Sequence, residues 1–154
     1  MSALPQYSPF EISKALSAHS IALGFIKNTE GNFEFVGTFA AEVEKYFELN
    51  LVDELTFFSP TGKAGELFEI PVSGTDSQTD RIFLVGVGDQ SGAAARSAGA
   101  AVGRKVRGKS TSVFSACVVS EIKSHAISIV LGAWVWNLKT DKAKEEPTIF
   151  VASK

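Results

Sequence analysis

Arg81-Ile82-Phe83-Leu84-Val85-Gly86-Val87-Gly88-Asp89-Gln90-Ser91-Gly92 runs directly into Ala93-Ala94-Ala95-Arg96-Ser97-Ala98-Gly99-Ala100-Ala101-Val102-Gly103-Arg104-Lys105-Val106-Arg107-Gly108. The apolar run over residues 82–85 has no polar alternation, so a strand here needs cover on both faces, as in a parallel sheet. Glycines end it, and a helix of small residues follows. On a helical wheel Ala95, Ala98, Gly99, Val102 and Val106 share one narrow sector, with Arg96, Arg104 and Arg107 on the opposite side. Small buried side chains let such a helix lie close against its neighbours.

Working outward, the spacing predicts strands over residues 19–27, 33–36, 67–72, 112–119 and 148–152. Pro71 places the third of these near a sheet edge or at a strand end. Phe39, Val43, Tyr46 and Phe47 have helical spacing behind Thr38 as N-cap. Residues 1–18 read as a loose arm. A second helix is predicted from Glu121 to about Leu138, capped by Ser120 and apolar on two sides. Ile127, Val130, Leu131, Trp134 and Leu138 form one stripe, assigned to the sheet. Ile122, Ile129, Ala133 and Trp136 form the other, assigned to a subunit or a further domain. On that assignment Ile129, Ala133 and Trp136 are interface candidates. Trp134→Ala then costs roughly 3–5 kcal/mol as a core truncation, and Trp136→Ala costs little. Residues 140–146 read as a charged linker. Alternating strands and helices joined by glycine turns predict a three-layer α/β/α sandwich with a mostly parallel or mixed sheet.

The 154 residues suffice for one domain with a real core. A formal net charge of −2 disfavours nucleic acid and anionic membranes as partners. One cysteine, Cys117, excludes an internal disulfide and suits a reducing cytoplasm. The longest apolar run, residues 126–135, is too short to span a bilayer, and the first residues lack signal-peptide character.

Candidate chemistry is sparse. Gly86, Gly88 and Gly92 form a weak phosphate-loop candidate, because amides at a helix start bind anions. The third glycine falls one residue late for the dinucleotide fingerprint, and no acidic residue ends the next strand. Positive-φ turns use glycine for structural reasons alone. Arg104, Lys105, Arg107 and Lys109 suit the negative end of a helix, and with Arg96 they also suit an anionic partner. His19 and His125 lack metal-ligand spacing. Cys117 reads as inert packing. The carboxylates Asp53, Glu54, Asp76, Asp80 and Asp89 are scattered singly, as in solvated turns, and no nucleophile elbow is present.

Three pieces occur in a telling order: Thr61-Gly62-Lys63-Ala64-Gly65-Glu66, then Leu84-Val85-Gly86-Val87-Gly88-Asp89 leading into Arg96-Ser97-Ala98-Gly99-Ala100-Ala101, then Leu131-Gly132-Ala133-Trp134-Val135-Trp136-Asn137-Leu138-Lys139. Together, from about residue 19 onward, they resemble the N-terminal domain of the cytosol (leucyl) aminopeptidases, the M17 metallopeptidases. The resemblance implies a macro-domain-like fold over residues 19–154, followed in the family by a catalytic domain that holds two divalent metals, manganese or zinc. The family's Asn-Thr-Asp-Ala-Glu-Gly-Arg signature is absent here, so no catalytic or metal residue carries over and no cofactor is expected in this segment. The expectation is an excised non-catalytic domain that aids assembly of a cytoplasmic homo-oligomer, a hexamer in the family, and covers its own catalytic domain. A macro-like binder of ADP-ribose or another nucleotide and a DNA-binding domain are the alternatives.

Overall fold

The computed structural model describes residues 4–134 and 146–153. Its centre is β2 (Ser20–Lys27), the first of the long apolar strands. β5 (Arg81–Gly86) and β6 (Ser112–Ala116) flank it, both parallel to it. Beyond β6 lie β7 (Thr148–Ala152) and β1 (Gln6–Ser8), also parallel. Beyond β5 lies β4 (Leu67–Pro71), an antiparallel edge strand that ends at its proline. β3 (Phe33–Phe35) pairs antiparallel with the end of β2, which completes a seven-stranded mixed sheet.

Side chains alternate across this sheet, so each face has its own core. Ile21, Leu23, Phe25, Ile82, Leu84 and Phe114 pack with α1 (Ile12–Ala15), α2 (Phe39–Phe47) and α3 (Leu51–Phe57). Ala22, Phe83, Val85, Val113, Ile149 and Val151 pack with α4 (Gly92–Val106) and α5 (Ile122–Ala133). This is the expected three-layer α/β/α arrangement with a mixed sheet.

Residues 6–18 do not form a loose arm. β1 extends the sheet beside β7, pairing Ser8 with Ala152, and Ala15, Leu16 and Ala18 lie in the core. The pairing partner lies at the opposite end of the chain, where local periodicity gives no hint of it. α3 was not expected either. Asn50 caps it by accepting from the Asp53 amide at 3.1 Å, and Asp53 and Glu54 occupy its first turn, where the helix dipole favours acids. Both had read as turn residues.

On α4 the expected sector is buried: Ala95, Ala98, Val102 and Val106 are all nearly or fully inaccessible. The assignment of the α5 stripes is reversed. Ile129 is fully buried, whereas Ile127, Leu131 and Trp134 are 46, 57 and 51% exposed. The cause lies on α4. A Cβ on Gly99 would collide with the His125 carbonyl, and one on Gly103 would collide with the Ile129 carbonyl and lie 2.7 Å from the Ala133 amide. Without those side chains the two helices approach backbone to backbone, and they meet along Ile122, His125, Ala126, Ile129 and Ala133. Ile129 therefore belongs to the domain's own interior, and the half-buried Ala133 packs against it. α5 starts one residue after Glu121, whose left-handed φ of 56° marks the entry, and Ser120 does not cap it. Trp134 is already extended. Trp136, Leu138 and residues 140–145 of the charged linker lie outside the described residues.

Candidate functional site

In an open α/β sheet, ligands settle beyond the carboxyl ends of the strands, where the strand order reverses. Here that point is the end of β2, with the turn after β5 on one side and residues 117–121 on the other. The chain fills it with its own hairpin. After β3, the Val36 amide donates to the Gly24 carbonyl at 2.9 Å, and Gly37 comes up against Val119.

The glycine turn is equally committed. The Gly86 amide donates to the Glu66 carbonyl at 2.7 Å, and the Gly86 carbonyl accepts from the Gly65 amide at 2.9 Å. A Cβ on Gly86 would strike the Lys63 carbonyl. Gly88 takes a φ of +53° against Ala64, a conformation that costs glycine little. The Val87 amide goes to Phe25, that of Gln90 to Val87, that of Ser91 to the Asp89 carboxylate at 3.0 Å, and that of Ala94 to the Ser91 hydroxyl at 3.2 Å. Hydrogen bonds from Ser91 hold Asp89 below the usual carboxylate range and keep an anion in the turn. Gly92 opens α4 beside the Glu121 carboxyl, 3.6 Å from its own absent Cβ. The amides of residues 61 and 62 and the Thr61 hydroxyl converge at about 3 Å on the Glu66 carboxylate. The amides of residues 61, 62, 65, 86, 87, 90, 91 and 94 are thus taken by the protein's own carboxylates, carbonyls and the Ser91 hydroxyl. Gly86 and Gly88 pack closely against the loop 61–66, and Gly92 opens α4.

A serine–histidine pair emerges that the sequence did not signal. Nδ1 of His125 lies 3.0 Å from the Ala95 carbonyl, which can only accept, so Nδ1 carries the proton. Nε2 then accepts from the Ser115 hydroxyl at 2.7 Å, and Ser115 Oγ lies 3.4 Å from Cys117 Sγ. The pair resembles a nucleophile and its base, but Ser115 is 1% and His125 0% exposed, so no substrate reaches it. Burial pushes the imidazole down to about 4 and the Cys117 thiol up to about 12. The imidazole thus stays neutral at physiological pH and ties α5 to α4 and β6. Ser115 sits on a strand and His125 on a helix, in no recognisable spacing, so only the packing unites them.

Both ring nitrogens of His125 are engaged, and His19 is exposed and bonded to Ser112 at 3.0 Å. Among the described residues no group of three or more His, Cys, Asp or Glu side chains gathers to hold a metal ion. The described residues therefore do not fit a metal centre. No described helix is long and apolar enough to cross a membrane.

Two open features lie together on the outer side of the helix pair. A groove of about 450 Å³ runs between α4 and α5, lined by Arg96, Arg104, Arg107 and Leu131 among others. Beside it stands the exposed stripe Ile127, Leu131 and Trp134. On the other side of α4, Arg81 and Lys105 are paired with Glu69 at 2.9 and 2.8 Å, and these contacts, Lys105 foremost, hold the Glu69 carboxyl below its ordinary value.

A mixed sheet between two helix layers, its strand ends met by its own hairpin and one apolar helix face turned outward, defines the class as an α/β domain. Comparison with known families agrees. Residues 40–142, well over half of the chain, match the N-terminal domain of the cytosol aminopeptidase family, and the chain belongs to that family. Among solved structures, a lysine-to-glutamate mutant of tomato leucine aminopeptidase superposes with a TM-score of 0.66 at 17% identity, covering 97% of this chain and 32% of that one. The bottromycin maturation enzyme BotP superposes with a TM-score of 0.56, also at 17% identity, covering 89% and 28%. The chain thus spans about a third of the length of these structures, and at that identity the likeness is one of fold. A search of curated proteins found no match.

Proposed function

We propose that this chain is the assembly and shielding domain of a metal-dependent leucyl aminopeptidase, with the reactive centre on a separate catalytic domain. The observation that carries this reading is the outward stripe Ile127, Leu131 and Trp134 on a domain whose α5 is already fully packed through its other side. Three exposed large apolar side chains one helical turn apart favour a protein neighbour. Family membership and the partial coverage of the aminopeptidase structures support a neighbouring catalytic domain. On this reading the parent enzyme removes N-terminal residues from peptides in the cytoplasm as a homo-oligomer, with manganese or zinc bound outside the present residues. The family alone supports those finer features.

The chain incubated with leucine p-nitroanilide and manganese or zinc is expected to give no turnover. Chelator-sensitive hydrolysis would overturn the reading. In the parent enzyme, Leu131→Asp should lower the oligomer mass measured by light scattering, and an unchanged mass would count equally against it.

A further inference from the structure

We propose that the groove between α4 and α5 docks an acidic amphipathic protein segment, one that offers carboxylates to Arg96 and Arg104 and an apolar side chain to Leu131. This rests on the assembly reading above for the protein nature of the partner, and it adds the partner's chemistry.

Charge carries the argument. The chain as a whole is slightly negative, at −2, yet this groove gathers Arg96, Arg104 and Arg107. Arg107 is held in place by its Nε, which donates to the Gly132 carbonyl at 2.9 Å near the end of α5. Arg96 and Arg104 are exposed and form no ion pair among the described residues. Lys105, next along the same helix, does have an internal carboxylate partner, Glu69 at 2.8 Å. Glu69 thus neutralises the β4 side of α4, and the side that faces α5 stays positive. Glu121 approaches the Arg96 end through Gly92 without closing an ion pair.

Shape and polarity narrow the partner. Leu131 lines the groove and also belongs to the exposed stripe with Ile127 and Trp134, so basic and apolar surface are continuous. A small anion would leave the stripe wet, and a nucleic-acid backbone gains nothing from aliphatic side chains. Arg96 and Arg104 are eight residues apart on one helix, roughly 12 Å along its axis. Carboxylates two turns apart on a facing helix match that span. An apolar side chain between them would reach Leu131.

The test uses the intact chain and fluorescein-labelled peptides, read by anisotropy. One peptide carries a leucine stripe flanked by glutamates at helical spacing. In two controls, lysines replace the glutamates or serines replace the leucines. The glutamate–leucine peptide should saturate at roughly micromolar affinity, about tenfold tighter than either control, and should weaken as salt rises. Arg96→Glu with Arg104→Glu should weaken it about tenfold and let the lysine peptide bind instead. Leu131→Ser should weaken it severalfold. All three positions are exposed, so the variants are expected to fold, and circular dichroism checks this. Absence of saturable binding, binding indifferent to these substitutions, or displacement of the peptide by a poly-thymidine oligonucleotide would overturn the proposal. If the parent's mass still responds to Leu131→Asp while the peptide is ignored, only the partner's chemistry is wrong.

Discussion

The two sides of α5 carry nearly the same apolar content and meet opposite fates. One, with Ile122, Ala126, Ile129 and Ala133, is packed into α4 and the sheet; the other, with Ile127, Leu131 and Trp134, faces outward. Hydrophobicity does not separate them. The difference comes from the partner helix: Gly99 and Gly103 leave room for backbone, so the side of α5 that presents His125 and Ile129 is the one that fits. Burial here follows complementarity of shape, and a stripe containing a histidine goes inside because both its ring nitrogens find partners there.

The largest effect should come from removing that fit. Gly103→Leu places a side chain where the Ile129 carbonyl and Ala133 amide sit, and should cost about 3 kcal/mol or more, or prevent folding. Unchanged thermal stability would refute the close approach of the helices.

Ile129→Ala comes next, at about 3 kcal/mol in urea unfolding, whereas Leu131→Ala should stay below about 1 kcal/mol. Equal losses would erase the distinction between the two sides.

The tie at the buried side should depend on pH. His125 titrates near 4 when folded, against an ordinary 6.5. Between those values the unfolded chain binds the proton and the folded chain does not. Stability from this group is therefore complete above about 6.5 and falls by about 3 kcal/mol in total as the pH drops toward 4. His125→Gln should flatten that part of the profile relative to the parent sequence, which isolates it from carboxylate titrations. A parallel profile would show that the imidazole is not the sensor.

The smallest effect is expected at Trp134. At 51% exposure, its replacement by alanine should change stability by less than about 1 kcal/mol, while, on the proposed assembly role, the oligomer mass of the parent protein should fall. This is the reverse of what its place in an apolar stripe suggests. A loss of several kcal/mol in the isolated chain would restore the stripe to the core.

Local reading succeeded where one segment carries its own instruction. The run Ile82-Phe83-Leu84-Val85, with no polar alternation, can only be a strand covered on both faces, and it is one. The sector Ala95, Ala98, Val102 and Val106 can only face inward. Pro71, lacking an amide, could only end or edge a sheet. The glycine turn was ambiguous, because a structural turn and a phosphate loop demand the same residues; the fate of each amide had to be seen in three dimensions.

By itself, then, the sequence determined the layer architecture and the buried face of α4, since these depend on spacing within one element. Only the tertiary structure decided that residues 6–8 join the sheet, that Ser115 meets His125, and which stripe of α5 goes inside. Those outcomes are set by surfaces distant in the chain, and the free energy of fitting two surfaces together belongs to neither alone.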